Sequence, residues 1–472
     1  MIAREIQITN IQEILESQKS AFVAFTGRRR VGKTYLIDQA LGKYFSFRIT
    51  GIQDANTEAQ IINFTEKLVE YWQKPIITTP RNWQEAFILF KQYLNTCSRK
   101  RKHVLFFDEL PWMSTHKSGF IQMFAHLWND YLSKHTHFIV VICGSSTSWI
   151  AKNIINDRGG FHNRITHSIH LEPFTLAETK RFLLSRNVRY TEQAIIEVYM
   201  MLGGIPFYLE QIQPGESPTM AVQRLCFSQQ GILKNEYNNL YKAIFDQPQS
   251  HEAIVKALAN ASSGLVRSEI SRISKVKEGG PMSRALEDLV ICGFVQSYVP
   301  FGKSKRDVVY KLVDEFSLFY HRFMISIGKT AKSDWAKAAT SQTYKIWSGY
   351  AFENLCFKNV NLIKQALGIS SVYTEVSTFR KIGDDTDKGF QIDLIIDRND
   401  KTINLCECKY YSEPFKVDKA YAANLTMRKS LFRSAVKTRK ILFTTLITHQ
   451  TMIPNEYAMD SVDAVVELDK LF

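Results

Sequence analysis

The 472-residue sequence lacks any run of about 18 uncharged apolar residues, the length that a helix needs to cross a bilayer, so we expect no membrane partner. Its seven cysteines are odd in number and scattered, which argues against a disulfide framework and favours a reducing, cytoplasmic environment. The first residues, MIAREIQ, carry charge on both sides of a short apolar pair, unlike a signal peptide. Low-complexity segments and internal repeats are also lacking, so we expect a chain that folds throughout its length.

Positive charge, in contrast, is in excess. The net charge is +14 at pH 7, while the apolar and charged fractions, 45% and 22%, are those of a folded, soluble protein. A nucleic acid partner fits this excess because neutralised phosphates release counterions. The alternative is that the charge only keeps the protein soluble. The length predicts about three domains at ~150 residues per domain.

The stretch AFVAFTGRRRVGKTYLI, residues 21–37, reads as a buried strand, a glycine loop and a helix start. It matches G-x-x-x-x-G-K-[ST], a loop whose backbone N–H groups bind phosphates. Lys33 would reach the β- and γ-phosphates of ATP, and the Thr34 hydroxyl would bind Mg²⁺. The alternative is a basic turn, but the strand before it and the helix after it favour the phosphate loop. The predicted nucleotide-binding residues are Gly27, Arg28, Arg29, Arg30, Val31, Gly32, Lys33, Thr34 and Tyr35.

Further along the chain, KHVLFFDELPWM places four apolar residues before Asp108 and Glu109. A buried parallel strand would bring both carboxylates to its carboxyl end, the edge where ligands bind in open α/β sheets. Asp108 would hold Mg²⁺ and Glu109 would polarise the attacking water. Taken alone, the pattern also fits an ordinary strand end. Another predicted strand ends in Gly144, Ser145 and Ser146, where small polar residues would sense the γ-phosphate or the water, or would only form a tight turn that caps a helix.

Together, FTGRRRVGKT, LFFDELPW, ICGSSTSWI, GGFHNRITHSIHLEPFTLAE and LGGIPFYL resemble the ATPase domain of a prokaryotic AAA-type family, usually placed with the STAND class of NTPases. The resemblance implies a parallel-sheet core with a helical lid, and homo-oligomers are possible. It also implies that Arg164 approaches the phosphates and that Pro206 packs near the adenine. Arg164 would equally suit a surface position or an interface salt bridge, and Pro206 is in any case a helix-start signal.

From His251 the pattern changes to three short amphipathic helices and a hairpin, a winged helix-turn-helix arrangement that the family resemblance also implies. A DNA-binding role would place residues 282–290 in the major groove and basic wing residues on phosphates. That helix carries Arg284 together with two acidic residues, a combination that suits base recognition poorly. We therefore favour an intramolecular role for this domain, packed on the nucleotide domain. The basic wing residues are Lys303, Lys305 and Arg306.

The last part of the chain carries a second group of charged residues. A helix carries Glu353, and two predicted strands carry Asp393 and, fourteen residues later, the E-x-K of Glu407 and Lys409. Residues two apart in a strand share a face, so Glu407 would join the two other carboxylates around Mg²⁺, and Lys409 beside it would stabilise the deprotonated water or the charge that develops on the phosphate. The string resembles the PD-(D/E)XK nuclease superfamily, although Ile392 stands in place of its proline. A solvated sheet edge is the alternative, and a zinc site at the neighbouring cysteines is a weaker one.

The predicted fold class is α/β: a P-loop ATPase core (1–172), a helical lid (173–248), a winged helix (249–325) and a restriction-endonuclease-like domain (326–472). We expect ATP and Mg²⁺ as cofactors and DNA, more than RNA, as partner. The predicted function is an ATPase whose nucleotide state controls a Mg²⁺-dependent nuclease. The alternatives are a STAND-like scaffold that does not cleave, and a winged-helix DNA-binding regulator.

Overall fold

The computed structural model describes residues 3–157, 159–245, 247–304, 306–327, 334–381, 389–411 and 413–472. The chain forms two compact units. The first unit contains Met1–Pro173, Ile205–Phe207 and Leu240–Asp246, and the second contains Phe174–Gly204, Tyr208–Asn239 and Gln247–Phe472. Among the described helices, none has the length and apolar character needed to span a bilayer.

The first unit contains a five-stranded sheet in which every neighbouring pair of strands is parallel, in the order β2-β3-β4-β1-β5. The strands are β1 (Ala21–Gly27), β2 (Phe45–Thr50), β3 (His103–Asp108), β4 (Phe138–Cys143) and β5 (His167–Leu171). The helices are α1 (Glu5–Glu16), α2 (Lys33–Leu41), α3 (Thr57–Trp72), α4 (Trp83–Leu94), α5 (Leu110–Met113), α6 (Phe120–Asp130) and α7 (Thr147–Ile150).

The strands β1, β3 and β4 are buried along their whole length, and each contains an uninterrupted apolar run. Such runs suit a parallel sheet whose two faces are both covered by helices. One face carries an aromatic core, in which Phe47 of β2 contacts Phe64 of α3 and Phe90 of α4. The sheet therefore brings the carboxyl ends of β1, β3 and β4 side by side at one edge.

The helices that follow are α8 (Leu176–Ser185), α9 (Glu192–Leu202), α10 (Pro206–Leu209), α11 (Pro218–Val222) and α12 (Glu236–Ile244). Thr175 starts α8 with a capping box in which Glu178 returns the hydrogen bond. Short 3₁₀ turns occur at Gly42–Tyr44, Leu132–Lys134 and Leu468–Leu471, and π turns at Ala151–Ile155, Gln223–Phe227 and Tyr320–Met324.

Next comes a module of three helices and three short strands. It contains α13 (Pro248–Ala259), β6 (Leu265–Val266), α14 (Arg267–Ser274), α15 (Gly280–Ile291), β7 (Val295–Tyr298) and β8 (Val309–Leu312). The strands form an antiparallel sheet in the order β6-β8-β7, so the expected two-stranded hairpin gains a third strand. Lys303 and Arg306 lie exposed between β7 and β8, and Lys305 lies outside the described residues.

The remaining helices are α16 (Glu315–Phe319), α17 (Ile325–Ile327), α18 (Trp335–Ala339), α19 (Gln342–Lys358), α20 (Val360–Ala366), α21 (Lys419–Val436) and α22 (Glu456–Ser461). The strands are β9 (Thr374–Lys381), β10 (Phe390–Arg398), β11 (Thr402–Lys409), β12 (Phe415–Lys416), β13 (Ile441–Thr448), β14 (Met452–Ile453) and β15 (Ala464–Glu467).

A five-stranded mixed sheet in the order β15-β13-β11-β10-β9 organises this last part of the second unit. The three-stranded sheet is joined to it: the Thr378 hydroxyl of β9 donates to the Tyr298 hydroxyl of β7 at 3.1 Å, and Phe301 N–H donates to Thr378 O at 3.1 Å. The Phe301 ring also packs on Phe432 of α21. The hairpin between β7 and β8 is therefore anchored on the carboxyl-terminal sheet by its first residues.

Candidate functional site

The loop between β1 and α2 has the backbone that its glycines predict. Gly32 has φ 90°, in the left-handed region that glycine adopts without strain. Gly27 has φ 129°, and a Cβ placed there would lie 2.3 Å from the carbonyl oxygen of Leu171. Both positions therefore require glycine. Gly32 is required for its torsion angle, and Gly27 is required both for its torsion angle and because β5 passes close by.

Lys33 and Thr34 open α2 and face the loop. The Lys33 ammonium donates to the carbonyl oxygens of Gly27 at 2.8 Å and Arg28 at 2.9 Å, so the side chain folds back over the loop. The Thr34 hydroxyl donates to Asp108 Oδ2 at 3.3 Å. The two residues that the sequence assigns to Mg²⁺ thus lie together, although 74 positions separate them in the sequence.

The two carboxylates that follow β3 have different surroundings. Asp108 is buried, and burial, with a further contribution from the charge of Glu109, raises its pKa. Glu109 has φ 46° and turns its side chain toward the end of β4, where Oε2 accepts hydrogen bonds from the backbone N–H of Ser145 at 2.8 Å and from its hydroxyl at 2.9 Å. The strand order explains the pairing, because β3 and β4 are neighbours.

Sequence reasoning missed Thr147, which holds the start of the loop. Its hydroxyl donates to Gly27 O at 2.8 Å and accepts from Gly27 N–H at 3.1 Å, and the residue is buried. Arg4 was also missed: its guanidinium donates to Val31 O at 3.2 Å and to Glu172 O at 2.7 Å. A threonine two residues after Ser145 and an arginine ahead of α1 carry no spacing signal of their own.

The other predicted nucleotide-site residues are less tightly grouped. Pro206 belongs to Ile205–Phe207, a segment that groups with the first unit, and the Arg30 guanidinium lies 4.0 Å from the centre of the Phe207 ring. Arg28 and Val31 are buried, Arg29 is partly exposed and Tyr35 is mostly exposed. Arg164 is exposed in the turn before β5, and its side chain pairs with no acid among the described residues.

The donor groups at this edge fit ATP with Mg²⁺. A loop with a left-handed glycine leads into a helix N-terminus, the usual place for a phosphate. One hydroxyl and one carboxylate in contact give Mg²⁺ two oxygen ligands, and this ion takes its remaining ligands from substrate phosphates and water. The residues that would hold the ion are Thr34 and Asp108.

The second group of charged residues comes together in the carboxyl-terminal sheet. Asp393 lies where the register between β9 and β10 shifts, between Ile392 and Ile395, and its Oδ2 accepts from Cys408 N–H of β11 at 3.1 Å. Such irregularities re-aim a side chain. Burial is the main reason why the pKa of Asp393 is raised to about 6, and the charge of Glu407 adds to it. Burial likewise raises the pKa of Glu353 to about 8, with a further contribution from the charge of Asp393.

Glu407 lies on β11, the central strand, and only 4% of it is exposed, so the alternative of a solvated sheet edge is wrong for this residue. Its Oε1 accepts from the Arg428 guanidinium of α21 at 2.7 Å, and its Oε2 lies 3.5 Å from the Lys409 ammonium. Although burial opposes it, the charges of Tyr421, Glu407 and Asp393 raise the pKa of Lys409. Arg428 was not predicted, because its position 21 residues after Glu407 matches no motif.

A further cation comes from β8. Lys311 is buried, and burial lowers its pKa while the charges of Glu353, Cys408 and Asp393 oppose that change. The residue after Lys311 is fixed to the helix that carries Glu353, since Asn354 Nδ2 donates to Leu312 O at 3.0 Å.

Among the described residues, no three His, Cys, Asp or Glu side chains are spaced to hold a metal ion. The predicted Mg²⁺ ligands Glu353, Asp393 and Glu407 therefore do not form a metal site in this arrangement. Oε1 of Glu407 accepts a hydrogen bond from Arg428, while Oε2 has no hydrogen-bond donor among the described residues and lies 3.5 Å from the Lys409 ammonium.

The chain is similar to several known proteins. Residues 1–212 match the family model described as an ATPase domain predominantly from Archaea. An uncharacterised protein of Methanocaldococcus jannaschii is 21% identical over 417 residues, 87% of each chain. The solved structure of the Walker-type ATPase of Pyrococcus abyssi covers 68% of this chain and 96% of its own, with 19% identity and a TM-score of 0.48. The ORC2 protein of Aeropyrum pernix, in ADPNP–ADP complexes, covers 72% of this chain and 96% of its own, with 12% identity and a TM-score of 0.40.

The family match falls on the part of the chain that carries the parallel sheet, the glycine loop and the two carboxylates after β3. Residues 1–212, which carry these features, are therefore similar to an ATPase domain in both sequence and sheet topology.

Proposed function

We propose that the chain binds ATP with Mg²⁺ at the β1–α2 loop and hydrolyses it. The observation that carries this proposal is the contact between Thr34 and Asp108, beside a lysine folded over the loop. When ATP binds, its β- and γ-phosphates would replace the carbonyl oxygens of Gly27 and Arg28 as acceptors for the Lys33 ammonium. Mg²⁺ would supply charge neutralisation at the phosphate oxygens.

Glu109 is the residue proposed to orient the attacking water. Hydrogen bonds from the Ser145 N–H and hydroxyl hold one carboxylate oxygen, so the other oxygen remains to accept from a water. A carboxylate held in this way accepts a proton without changing its position, which is the geometry that general base catalysis needs. Ser145 is in this view a positioning residue, and Arg164 would approach the phosphates from its exposed turn.

The test is titration calorimetry with MgATP on the parent and on Lys33→Ala. Charge-assisted hydrogen bonds contribute about 1.5–3 kcal/mol each, so we expect ATP affinity to fall at least tenfold. The exposed Lys43, ten residues on, gives a matched control, since Lys43→Ala should bind like the parent. Equal affinities for parent and Lys33→Ala would contradict the proposed nucleotide site.

We further propose that the nucleotide state controls the carboxyl-terminal domain, and that this domain acts on nucleic acid, DNA more than RNA, as a PD-(D/E)XK-like nuclease. The proximity of Glu353, Asp393, Glu407 and Lys409 supports it, as does the net charge of +14. Incubation of DNA and RNA with the chain and Mg²⁺ or Mn²⁺, with and without ATP, measures this activity. Cleavage should disappear in Glu407→Ala and Lys409→Ala, and unchanged cleavage in both would contradict the site.

A second candidate is a STAND-like scaffold that hydrolyses ATP, forms homo-oligomers and uses the same domain only for binding. The ion pair between Glu407 and Arg428 favours it, because the guanidinium occupies one carboxylate oxygen that a metal would need. Oligomers that form with ATP, without strand cleavage under any metal condition, would support this candidate.

A winged-helix regulator is the third candidate. Its test is the loss of DNA affinity when Lys303, Lys305 and Arg306 are neutralised together. Unchanged DNA affinity in that variant would contradict this role.

A further inference from the structure

The group of side chains around Glu407 contains as many basic residues as acids, and we call it the carboxylate cluster. Its members are the acids Glu353, Asp393 and Glu407 and the bases Lys311, Lys409 and Arg428. When all six are ionised their charges cancel. Buried carboxylates need such compensation, because an unpaired charge removed from water is very costly.

Glu407 is the member whose partners are most clearly fixed. Its Oε1 accepts a hydrogen bond from Arg428 at 2.7 Å, whereas its Oε2 lies 3.5 Å from the Lys409 ammonium without a hydrogen-bond donor among the described residues, and 4% of the residue is exposed. A divalent ion would need one of these oxygens as a ligand. Lys409 belongs to the same strand and shares its face with Glu407, whereas Arg428 reaches the carboxylate from α21. Arg428 is therefore the cation that can leave without a change in the sheet.

We propose that Arg428 competes with divalent metal ions for Glu407, so that the carboxylate cluster binds metal only when this ion pair opens. The guanidinium acts here as an internal counter-ion in place of the metal. This competition explains why the sequence motif predicts a Mg²⁺ site while the observed geometry does not form one. Only the expected effect on cleavage rests on the proposed nuclease function. Metal binding itself is measured without nucleic acid and does not depend on that function.

Removal of the guanidinium should make the cluster a better metal site. In Arg428→Met the buried Glu407 loses its shorter ion pair, and the sheet still holds Asp393 beside β11 through Cys408 N–H. Carboxylate oxygens are the ligands that hard divalent cations prefer, so an added ion would restore the missing positive charge. The expected gain in affinity is at least tenfold.

The experiment counts Mn²⁺ bound to the full chain without nucleotide, by electron paramagnetic resonance of free Mn²⁺ or by calorimetry. Binding at Thr34 and Asp108 is common to all variants and cancels in the comparison. Arg428→Met should bind one more Mn²⁺ than the parent, and the double variant with Glu407→Gln should lose that gain. The exposed Arg433 on the same helix gives the matched control, since Arg433→Met should bind like the parent. If Arg428→Met does not fold, Arg428→Gln keeps hydrogen-bonding capacity without the charge.

A folded Arg428 variant that binds no more Mn²⁺ than the parent would overturn the proposal, and so would a gain that survives Glu407→Gln. Failure of the nuclease proposal gives a different result: the extra Mn²⁺ would bind, and no variant would cleave. An active nuclease in which Arg428→Met abolishes cleavage without any change in Mn²⁺ binding would instead assign Arg428 to the substrate.

Discussion

Substitution of Thr147 by valine tests whether one hydroxyl holds the start of the phosphate loop. Valine has nearly the same shape as threonine, so the change removes the hydroxyl without leaving a large cavity. In the parent that hydroxyl donates to Gly27 O and accepts from Gly27 N–H. After the change, Gly27 O keeps its bond from the Lys33 ammonium at 2.8 Å, and Gly27 N–H loses its acceptor. The cost is therefore that of one buried, unsatisfied donor.

A buried donor without a partner costs about 1–3 kcal/mol. For a unit of about 150–250 residues, each kcal/mol lowers the melting temperature by about 2–4 °C, so Thr147→Val should lower that of the first unit by roughly 2–12 °C. Differential scanning calorimetry with and without MgATP identifies the relevant transition, because a ligand that binds only the folded unit raises its melting temperature. ATP affinity should fall as well, since Gly27 begins the loop.

Thr147→Ser is the control that separates the hydroxyl from the methyl group. It keeps the donor and acceptor at Gly27 and should remain much closer to the parent in melting temperature and ATP affinity than valine does. Equal melting temperatures for Thr147→Val and the parent would refute the reasoning. A loss of the same size in the serine variant would assign the effect to packing instead.

Three further predictions concern the first unit. Asp108→Asn should remove most of the gain in ATP affinity that Mg²⁺ provides, which calorimetry with and without Mg²⁺ measures; an unchanged gain would place the ion elsewhere. Glu109→Gln keeps an acceptor for Ser145 and should leave ATP affinity within about threefold while lowering hydrolysis by about 10²–10⁴-fold in a phosphate-release assay; full activity would exclude Glu109 as the base. Burial, then His103 and His135, lowers the pKa of His137 to about 4. In the unfolded chain this imidazole takes up a proton near pH 6.5, so the free energy of unfolding should decrease as the pH falls from 6.5 to 4. Urea titrations at several pH values should show a smaller decrease in His137→Gln. The same pH dependence in the variant and the parent would contradict the assignment to His137.

The phosphate loop could be predicted because its signal is local. Gly27, Gly32, Lys33 and Thr34 lie within eight consecutive residues, and both glycines have positive φ angles that glycine adopts without strain. The apolar run before Asp108 likewise predicted a buried strand, and β3 is buried throughout. In both places the residues that determine the geometry are sequence neighbours.

Contacts between distant segments could not be predicted in the same way. Thr147 reaches Gly27 across 120 positions, and Arg428 reaches Glu407 from another element. The third strand of the small sheet, β6, was missed because two residues are too few to show a period. Each of these contacts depends on which elements become neighbours, which residue spacing does not record.

The sequence by itself determined the glycine loop, the buried strands and the side of each strand on which a charged residue lies, because backbone torsion and the alternation of side chains are local properties. The tertiary structure alone decided which charges meet. It placed Thr34 against Asp108, the two proposed Mg²⁺ ligands, and Arg428 against Glu407, where a cation of the chain pairs with the carboxylate. The physical reason is that Coulombic compensation depends on distance in space, and the packing of helices and sheets sets that distance.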